Sequence, residues 1–176
     1  MAEVTSQMVK ELRDRTGAGI KECKDILVQT DGNMGEAIKL LQEKGLRVTE
    51  KVAGREAREG RVEVYMHAGN RMAAMVELNC ETDFVGRNEE FIALSKEIAL
   101  QVAAMNPRYI TTDEVPAEEI EASGLPAEKY YAEVVLLKQP FVRDASQTIE
   151  DKIKAAVAKL RENILVRRFT RYELGS

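Results

Sequence analysis

The spacing of apolar residues changes near Arg61 and divides the 176-residue chain into two differently built parts. In the first fifty residues apolar side chains recur every three or four positions, which is typical of amphipathic helices. From Arg61 they alternate, in RVEVYMH and again in RMAAMVELN, with the turn-forming Ala68-Gly-Asn70 between these runs. Alternation around a short turn predicts a β-hairpin. We therefore expect a helical part followed by a part built on a sheet.

The first part is expected to contain three short helices. Thr5 or Ser6 is suited to begin the first helix, because a hydroxyl can accept a hydrogen bond from a free backbone amide. Glycine-containing turns at residues 16–19 and 31–33 separate the helices. The third helix is expected to end near Gly45, since glycine is common just after a helix. The apolar stripes of the three helices are formed by Met8, Val9 and Leu12, by Ile20, Cys23, Ile26 and Leu27, and by Met34, Ala37, Ile38 and Leu41.

These patterns predict three consecutive regions. Residues 1–46 form a three-helix domain, and residues 47–60 form a charged, exposed linker with few large apolar side chains. Residues 61–176 form the second domain, in which a helix is expected from Asn88 to Met105. That helix is followed by Asn106-Pro107, and proline disfavours the helical conformation of the residue before it.

The rest of the second domain is expected to alternate between short helices and a last strand. Pro116 and Pro126 are each suited to begin a short helix, and the second of these helices would carry Tyr130, Val134 and Leu137. Ser146 or Thr148 is suited to begin a further helix. The tail ILVRRFTRYEL is rich in β-branched and aromatic residues and predicts a strand. The fold class is therefore α+β, a small antiparallel sheet packed with helices after a three-helix domain.

Composition argues against several classes of protein. A net charge of −4 argues against direct nucleic-acid binding, so we interpret Arg167, Arg168 and Arg171 as solvated strand residues rather than a nucleic-acid strip. The N-terminus lacks a signal-peptide core and no apolar run is long enough to span a membrane, which predicts a cytoplasmic protein without membrane contact. Cys23 and Cys80 lack the spacing of a disulfide framework or zinc site, so we expect no metal.

The sequence does not support an enzyme. It contains no recognisable catalytic triad, metal cluster or paired-carboxylate site, and we predict neither catalytic residues nor a cofactor. Gly17-Ala-Gly19 and Lys21 lack the GxxxxGK[ST] spacing of a phosphate-binding loop. His67, the one histidine of the sequence, lies at the end of the predicted hairpin and is interpreted as a surface residue.

The stretch NCETDFVGRN, residues 79–88, places apolar residues at a strand-to-helix joint that is normally polar. One interpretation is that Thr82 or Asp83 caps the next helix while Phe84 packs its first turn onto the core. The other is an exposed tip in which an acid stands beside an aromatic anchor for a partner. The chemistry of the residues leaves both interpretations open.

Four motifs in order, KELRDRTGAGIKECKDIL, NCETDFVGRN, LKQPFVRD and ENILVRRFTRYELG, resemble the elongation factor Ts family over the whole chain. The resemblance is to the short form of the family, which has a single α+β unit. It implies a guanine nucleotide exchange factor for elongation factor Tu. It also implies that the three-helix domain has a ubiquitin-associated-like fold that docks on the GTPase domain of that partner.

The resemblance also implies roles for particular residues. Thr82, Asp83, Phe84 and Val85 match the family's TDFV motif and would disturb magnesium coordination in the GTPase, which would loosen bound GDP. The docking surface is expected to include Leu12, Arg13 and Ile20. Lys21 departs from the family pattern, in which a second apolar residue is common at that position, so its part in docking is open.

We also expect a homodimer formed through the second domain. A sheet of three strands cannot cover both of its faces with its own few helices, and its strands carry apolar side chains suited to a partner sheet: Val62, Val64, Met66, Met75 and Phe169. The rival arrangement is a monomer in which helices 88–105 and 146–163 cover the sheet. An alternative function is a passive dimeric adaptor that docks through its helical domain without promoting exchange.

Overall fold

The computed structural model describes residues 4–176, so residues 1–3 of the predicted first domain lie outside the described residues. It confirms the α+β class, with helices first and a small antiparallel sheet after them. The helices are α1 (Ser6–Thr16), α2 (Ile20–Gln29), α3 (Met34–Val52), α4 (Asp83–Gly86), α5 (Glu89–Met105), α6 (Ala117–Ser123), α7 (Ala127–Val134) and α8 (Ile149–Leu160), with 3-10 turns at Thr112–Glu114 and Leu136–Lys138. The strands are β1 (Glu59–Met66), β2 (Met72–Cys80), β3 (Pro140–Phe141), β4 (Asp144–Thr148) and β5 (Leu165–Glu173).

The described chain divides into two compact units. The helical unit comprises the residues up to Gly54 together with Lys154–Glu162, and the α+β unit comprises Arg55–Ile153 and Asn163–Ser176. The segment predicted as a linker, residues 47–60, contains the end of α3, an irregular stretch and the first residues of β1.

The helical unit is held by one buried apolar cluster to which all three N-terminal helices contribute. Thr5 caps α1, because its hydroxyl oxygen accepts a hydrogen bond from the backbone N–H of Met8 at 3.3 Å. Most of the apolar residues predicted to form the stripes meet in the cluster, but Ile20 does not and is exposed; the buried members are Val9, Leu12, Cys23, Ile26, Leu27, Ala37 and Leu41. Burial of these side chains supplies stability that such short helices lack by themselves.

The third helix does not end near Gly45, as expected, but continues to Val52. A glycine inside a helix costs about 1 kcal/mol relative to alanine. Here the position is crowded, since a β-carbon on Gly45 would lie only 3.3 Å from the β-carbon of Ala158 in the same unit. Gly45 therefore allows close packing rather than ending the helix.

The sheet of the α+β unit has the order β1-β2-β5, with both pairs antiparallel. One face packs on α5, and the side chains between them include the fully buried Val76, Leu78, Phe91 and Ile98. The register of β2 and β5 shifts between Glu77 and Leu78. The predicted hairpin, the helix after it and the last strand are all confirmed.

The other face of the sheet exposes apolar side chains. Val62, Val64, Met66 and Met75 are exposed there, and Tyr172 of β5 is exposed on the same face, opposite Ala73 in the register.

Phe169 is not a member of this exposed surface. It lies directly opposite the buried Val76 in the register, and residues directly opposite one another share a face of a sheet. Phe169 therefore lies on the α5 side of the sheet, so its expected place on a partner-binding face was wrong.

The polypeptide between α5 and β5 includes a short hairpin that the sequence analysis missed, formed by β3 and β4. Two fully buried glutamines fix it: the Nε2 of Gln101 donates to the carbonyl oxygen of Pro140 at 3.0 Å and to Oε1 of Gln139 at 3.1 Å. Thr148 then begins α8, since its Oγ1 accepts from the backbone N–H of Asp151 at 3.1 Å. Helices α6 and α7 begin directly after the two prolines as expected, but α7 ends before Leu137.

Candidate functional site

The TDFV segment (residues 82–85) follows β2 after one intervening residue, Glu81, and forms most of the single helical turn α4. Thr82 is the N-cap of this turn, because its hydroxyl oxygen accepts from the backbone N–H of Val85 at 3.4 Å. The carbonyl oxygen of Thr82 also accepts from the backbone N–H of Gly86 at 3.1 Å. Thr82 is thus a cap, as the first interpretation expected, but of this additional turn: the helix predicted from residue 88, α5, is capped by Asn88, whose Oδ1 accepts from the backbone N–H of Glu90 at 2.9 Å.

The packing half of that interpretation is wrong, because Phe84 points away from the core. Its side chain is 79% exposed, whereas that of the next residue, Val85, is 5% exposed. Successive residues of a helix point in directions about 100° apart, so a single turn can direct only one of these two side chains at the sheet. An exposed ring of this size is unusual for a side chain that gains so much from burial. Phe84 therefore forms an exposed aromatic tip.

An exposed ion pair stands beside the tip. The carboxylate of Asp83 lies 2.9 Å from Nη2 of Arg87, one turn further along the chain, and both side chains are largely exposed. Ion pairs in such positions contribute little to stability because water screens them. Asp83 can therefore exchange Arg87 for another partner at low cost.

The tip rests on a close contact between two backbones. A β-carbon on Gly86 would lie 3.3 Å from both the Cα and the carbonyl oxygen of Gly60 in β1. Gly60 itself has φ +131°, and a β-carbon there would lie 2.1 Å from the carbonyl oxygen of Leu78. Gly60 is therefore required by its pairing with β2, whereas a side chain at Gly86 would push α4 a few tenths of an ångström away from the sheet. The sequence analysis did not select them, although a glycine inside a strand pattern often marks a close backbone approach.

The residues expected to dock lie in the helical unit and differ in exposure. Ile20, at the start of α2, is 62% exposed, and Arg13 and Lys21 are also exposed. Leu12 is completely buried in the apolar cluster. Leu12 therefore supports the helices from inside, while Arg13 and Ile20 offer side chains at the surface.

The remaining chemistry of the described chain gives no sign of a metal or redox site. Cys23 and Cys80 are buried and are not joined in a disulfide, and burial raises the pKa of the Cys23 thiol. No cluster of three or more metal-ligating side chains occurs among residues 4–176. Within the same range, no helix has the length and apolar character needed to cross a membrane.

The arginines of β5 are bound within their own unit. Arg168 donates to the carboxylate of Glu77 at 2.7 Å, and Arg171 donates to the carbonyl oxygen of Ala103 at 2.9 Å. Arg167, at the irregularity of the strand, donates to the side-chain oxygen of Asn79 at 3.2 Å.

Comparison with known proteins agrees with this architecture. The family model described as "Elongation factor TS" matches residues 1–124 and 126–176. The chain is 48% identical to elongation factor Ts of Herpetosiphon aurantiacus over 195 aligned positions, covering 98% of each chain. It is 44% identical to that of Finegoldia magna, covering 99% of this chain and 91% of the relative, and 47% identical to that of Heliobacterium modesticaldum, covering 98% and 90%. With a family match over nearly its whole length and full-length relatives at this identity, the chain belongs to the elongation factor Ts family.

Proposed function

We propose that this protein is a guanine nucleotide exchange factor that promotes the release of GDP from elongation factor Tu in the cytoplasm. Membership of the elongation factor Ts family supports this role, and the observation that carries it is the exposure of Phe84 on a firmly supported turn. An aromatic side chain held away from its own core is suited to enter another protein, because aromatic anchors supply much of the energy of many interfaces.

The proposed mechanism needs no catalytic centre. An exchange factor binds the nucleotide-free state of its partner more tightly than the GDP-bound state, and by linkage it weakens GDP by the same ratio. Phe84 would enter the GTPase next to its magnesium and phosphate site and displace the loops that hold the ion. Magnesium neutralises phosphate charge, so its displacement removes a large part of the hold on GDP.

The other residues of the TDFV segment have supporting roles in this proposal. Asp83, whose exposed pair with Arg87 is weak, would bring negative charge towards the phosphates. Thr82 caps the turn and Val85 anchors it to the core of its own unit, so both hold Phe84 in place. In this proposal Phe84 is the residue that enters the partner, and Thr82 and Val85 fix its position.

Docking is assigned to the predicted three-helix domain, residues 1–46, and exchange to residues 61–176. Ile20 offers an exposed apolar side chain and Arg13 an exposed charge, while the buried Leu12 would act by fixing the helices that carry them. Because the docking residues and the TDFV segment belong to different compact units, affinity and exchange should be changeable separately.

We also propose that the working form is a homodimer in which the exposed sheet faces pair. The support is the apolar surface formed by Val62, Val64, Met66, Met75 and Tyr172, which lies opposite the α5 side of the sheet. Surfaces of this kind commonly mark a protein interface. A two-fold axis is the commonest symmetry for such a pair.

Release of fluorescent GDP from elongation factor Tu tests the function directly. Addition of this protein at micromolar concentration should accelerate release and reach a plateau rate at saturation. The adaptor alternative predicts binding, measured by calorimetry, with an unchanged release rate. Binding without acceleration would therefore replace the exchange proposal with the adaptor.

A further inference from the structure

We propose that Glu81 is a positioning residue for Phe84, fixing the point at which the chain leaves β2 and enters α4. The proposal rests on the proposed exchange function and extends it to a residue outside the TDFV segment. Its basis is a set of hydrogen bonds that ties Glu81 to two segments remote in sequence, at Arg55 and Asn163.

The carboxylate of Glu81 is bound on two sides. Its Oε1 accepts a hydrogen bond from the backbone N–H of Asn163 at 2.7 Å and lies 3.5 Å from Nη1 of Arg55. Hydrogen bonds to a charged acceptor are shorter and stronger than neutral ones. Because the donor at Asn163 is a backbone group, it cannot turn away as a side chain can. Glu81 is therefore fixed to the connection between α8 and β5.

The two remote segments are also bound to each other. The side-chain Nδ2 of Asn163 donates to the carbonyl oxygen of Arg55 at 2.7 Å. The Glu81 side chain is 21% exposed, so water competes for these bonds less than it would at a fully exposed site. Glu81, Arg55 and Asn163 thus form a closed polar cluster at the base of the turn, all within the α+β unit.

Phe84 depends on this cluster because its own side chain is mostly exposed. The direction of its ring follows the backbone of α4, which is held at both ends. Glu81 holds the entrance, next to the cap residue Thr82, while Gly86 lies against Gly60 at the exit. A side chain that must enter a partner at one place loses effect when its support is loose. We therefore expect Glu81 to fix the orientation of the Phe84 side chain.

The proposed role of Glu81 can be tested by comparing the Glu81→Ala and Glu81→Gln variants in the GDP-release assay. Glu81→Ala should lower the saturated exchange rate about tenfold, the effect of roughly one lost hydrogen bond. The concentration for half-maximal exchange should change less than about twofold, because docking is assigned to the helical domain. Glu81→Gln keeps an oxygen acceptor for Asn163 and should restore most of the rate. Glu56→Ala, which breaks an exposed ion pair with Arg58, is the matched control and should have no effect.

A double-mutant cycle with Phe84→Ala shows whether Glu81 acts through the ring. If it does, the double variant should exchange no more slowly than Phe84→Ala alone. The proposal would be overturned if the rate loss of the double variant equalled the product of the two single losses. It would also be overturned if Glu81→Ala exchanged at the wild-type rate, or if Glu81→Gln were as slow as Glu81→Ala. If Glu81→Ala does not fold, Arg55→Ala, which removes the ion pair with Glu81, replaces it in the cycle, and its smaller loss of rate should likewise vanish in the Phe84→Ala background. A wild-type protein without exchange activity would instead refute the proposed function itself.

Discussion

Gly60 and Gly86 pack backbone against backbone, with the position of a β-carbon on Gly86 only 3.3 Å from the Cα of Gly60. The contact joins the end of α4 to the first residues of β1, and α4 carries the exposed ring of Phe84. The sheet therefore supports the aromatic tip directly, without an intervening side chain.

Alanine at these two glycines should have different effects. Gly60→Ala should destabilise the protein by at least about 3 kcal/mol, because the new β-carbon would overlap the carbonyl oxygen of Leu78 and φ is +131°. Gly86→Ala requires α4 and β1 to separate by only a few tenths of an ångström. It should therefore lower the free energy of unfolding less than Gly60→Ala does, but it should reduce the exchange rate. Urea unfolding and GDP release measure the two effects. A Gly86→Ala variant with the stability and exchange rate of the wild type would show that the contact is not a constraint.

Phe84→Ala should slow GDP release at least about thirtyfold, the equivalent of an interface anchor worth about 2 kcal/mol. Its melting temperature should stay near that of the wild type, since the side chain is 79% exposed. Val85→Ala is the matched control: this neighbour is buried, and its loss should cost roughly 1.5–3 kcal/mol of stability. A Phe84→Ala variant that melts early but exchanges GDP normally would contradict the insertion mechanism.

Ile20→Ala should weaken docking without slowing the exchange step. Loss of an exposed apolar contact worth about 1.4 kcal/mol would raise the concentration for half-maximal exchange about tenfold and leave the saturated rate unchanged. Val28→Ala changes another exposed apolar residue of the same helix and should behave like the wild type. A lower saturated rate in Ile20→Ala would show that docking and exchange are not separate.

Met75→Glu should dissociate the proposed dimer. Met75 lies opposite Val64 near the middle of the exposed sheet face, and pairing would bury an unpaired carboxylate from each protomer at a cost of several kcal/mol. Light scattering at micromolar concentration should give twice the 19.7 kDa chain mass for the wild type and the mass of one chain for the variant. Val28→Glu, in the helical unit, should remain dimeric. A fully active wild-type monomer would refute the dimer.

The stability supplied by Glu119 should disappear in acid. Hydrogen bonds from the hydroxyls of Tyr109 and Tyr130, both at 2.9 Å, hold the pKa of the Glu119 carboxyl below its ordinary value of 4.5. A carboxyl whose pKa is lower in the folded state than in the unfolded state stabilises the protein when the pH is above the unfolded-state pKa. This contribution is lost as the pH falls through the folded-state pKa. Glu119→Gln should therefore melt earlier than the wild type at pH 7, and the difference should shrink below about pH 4.5.

Circular dichroism melting at a series of pH values measures that difference. Glu118→Gln, at an exposed position of the same helix, is the control and should run parallel to the wild type. A difference between Glu119→Gln and the wild type that stays constant from pH 7 to pH 3 would contradict the role given to the carboxylate.

The sequence by itself determined the elements whose signals are local. Alternating apolar residues identified β1 and β2, and helical spacing identified α5, because these periods follow from backbone geometry alone. Caps were narrowed to Thr5 or Ser6 and to Ser146 or Thr148 for the same reason, since a cap bonds a backbone amide only a few residues away, and the structure selects Thr5 and Thr148. The motifs that indicate the family are likewise linear patterns.

Tertiary structure decided what each side chain faces. Phe84 and Val85 are adjacent and both apolar, yet only the packing of α4 on Gly60 determines which of them is exposed. Phe169 reads as an ordinary strand residue until its register with Val76 assigns it to the α5 side. Such outcomes depend on contacts between residues far apart in sequence, which no local pattern contains.

The same reason explains the misplaced end of α3 and the cluster around Glu81. Gly45 has the local signature of a helix end, and its role as a close-packing position depends on Ala158, more than a hundred residues away. Glu81 is bound by Asn163 across a similar gap in sequence. Local sequence sets the period, the caps and the motif, whereas the folded chain decides which residues of the motif are supported and which are free to meet a partner.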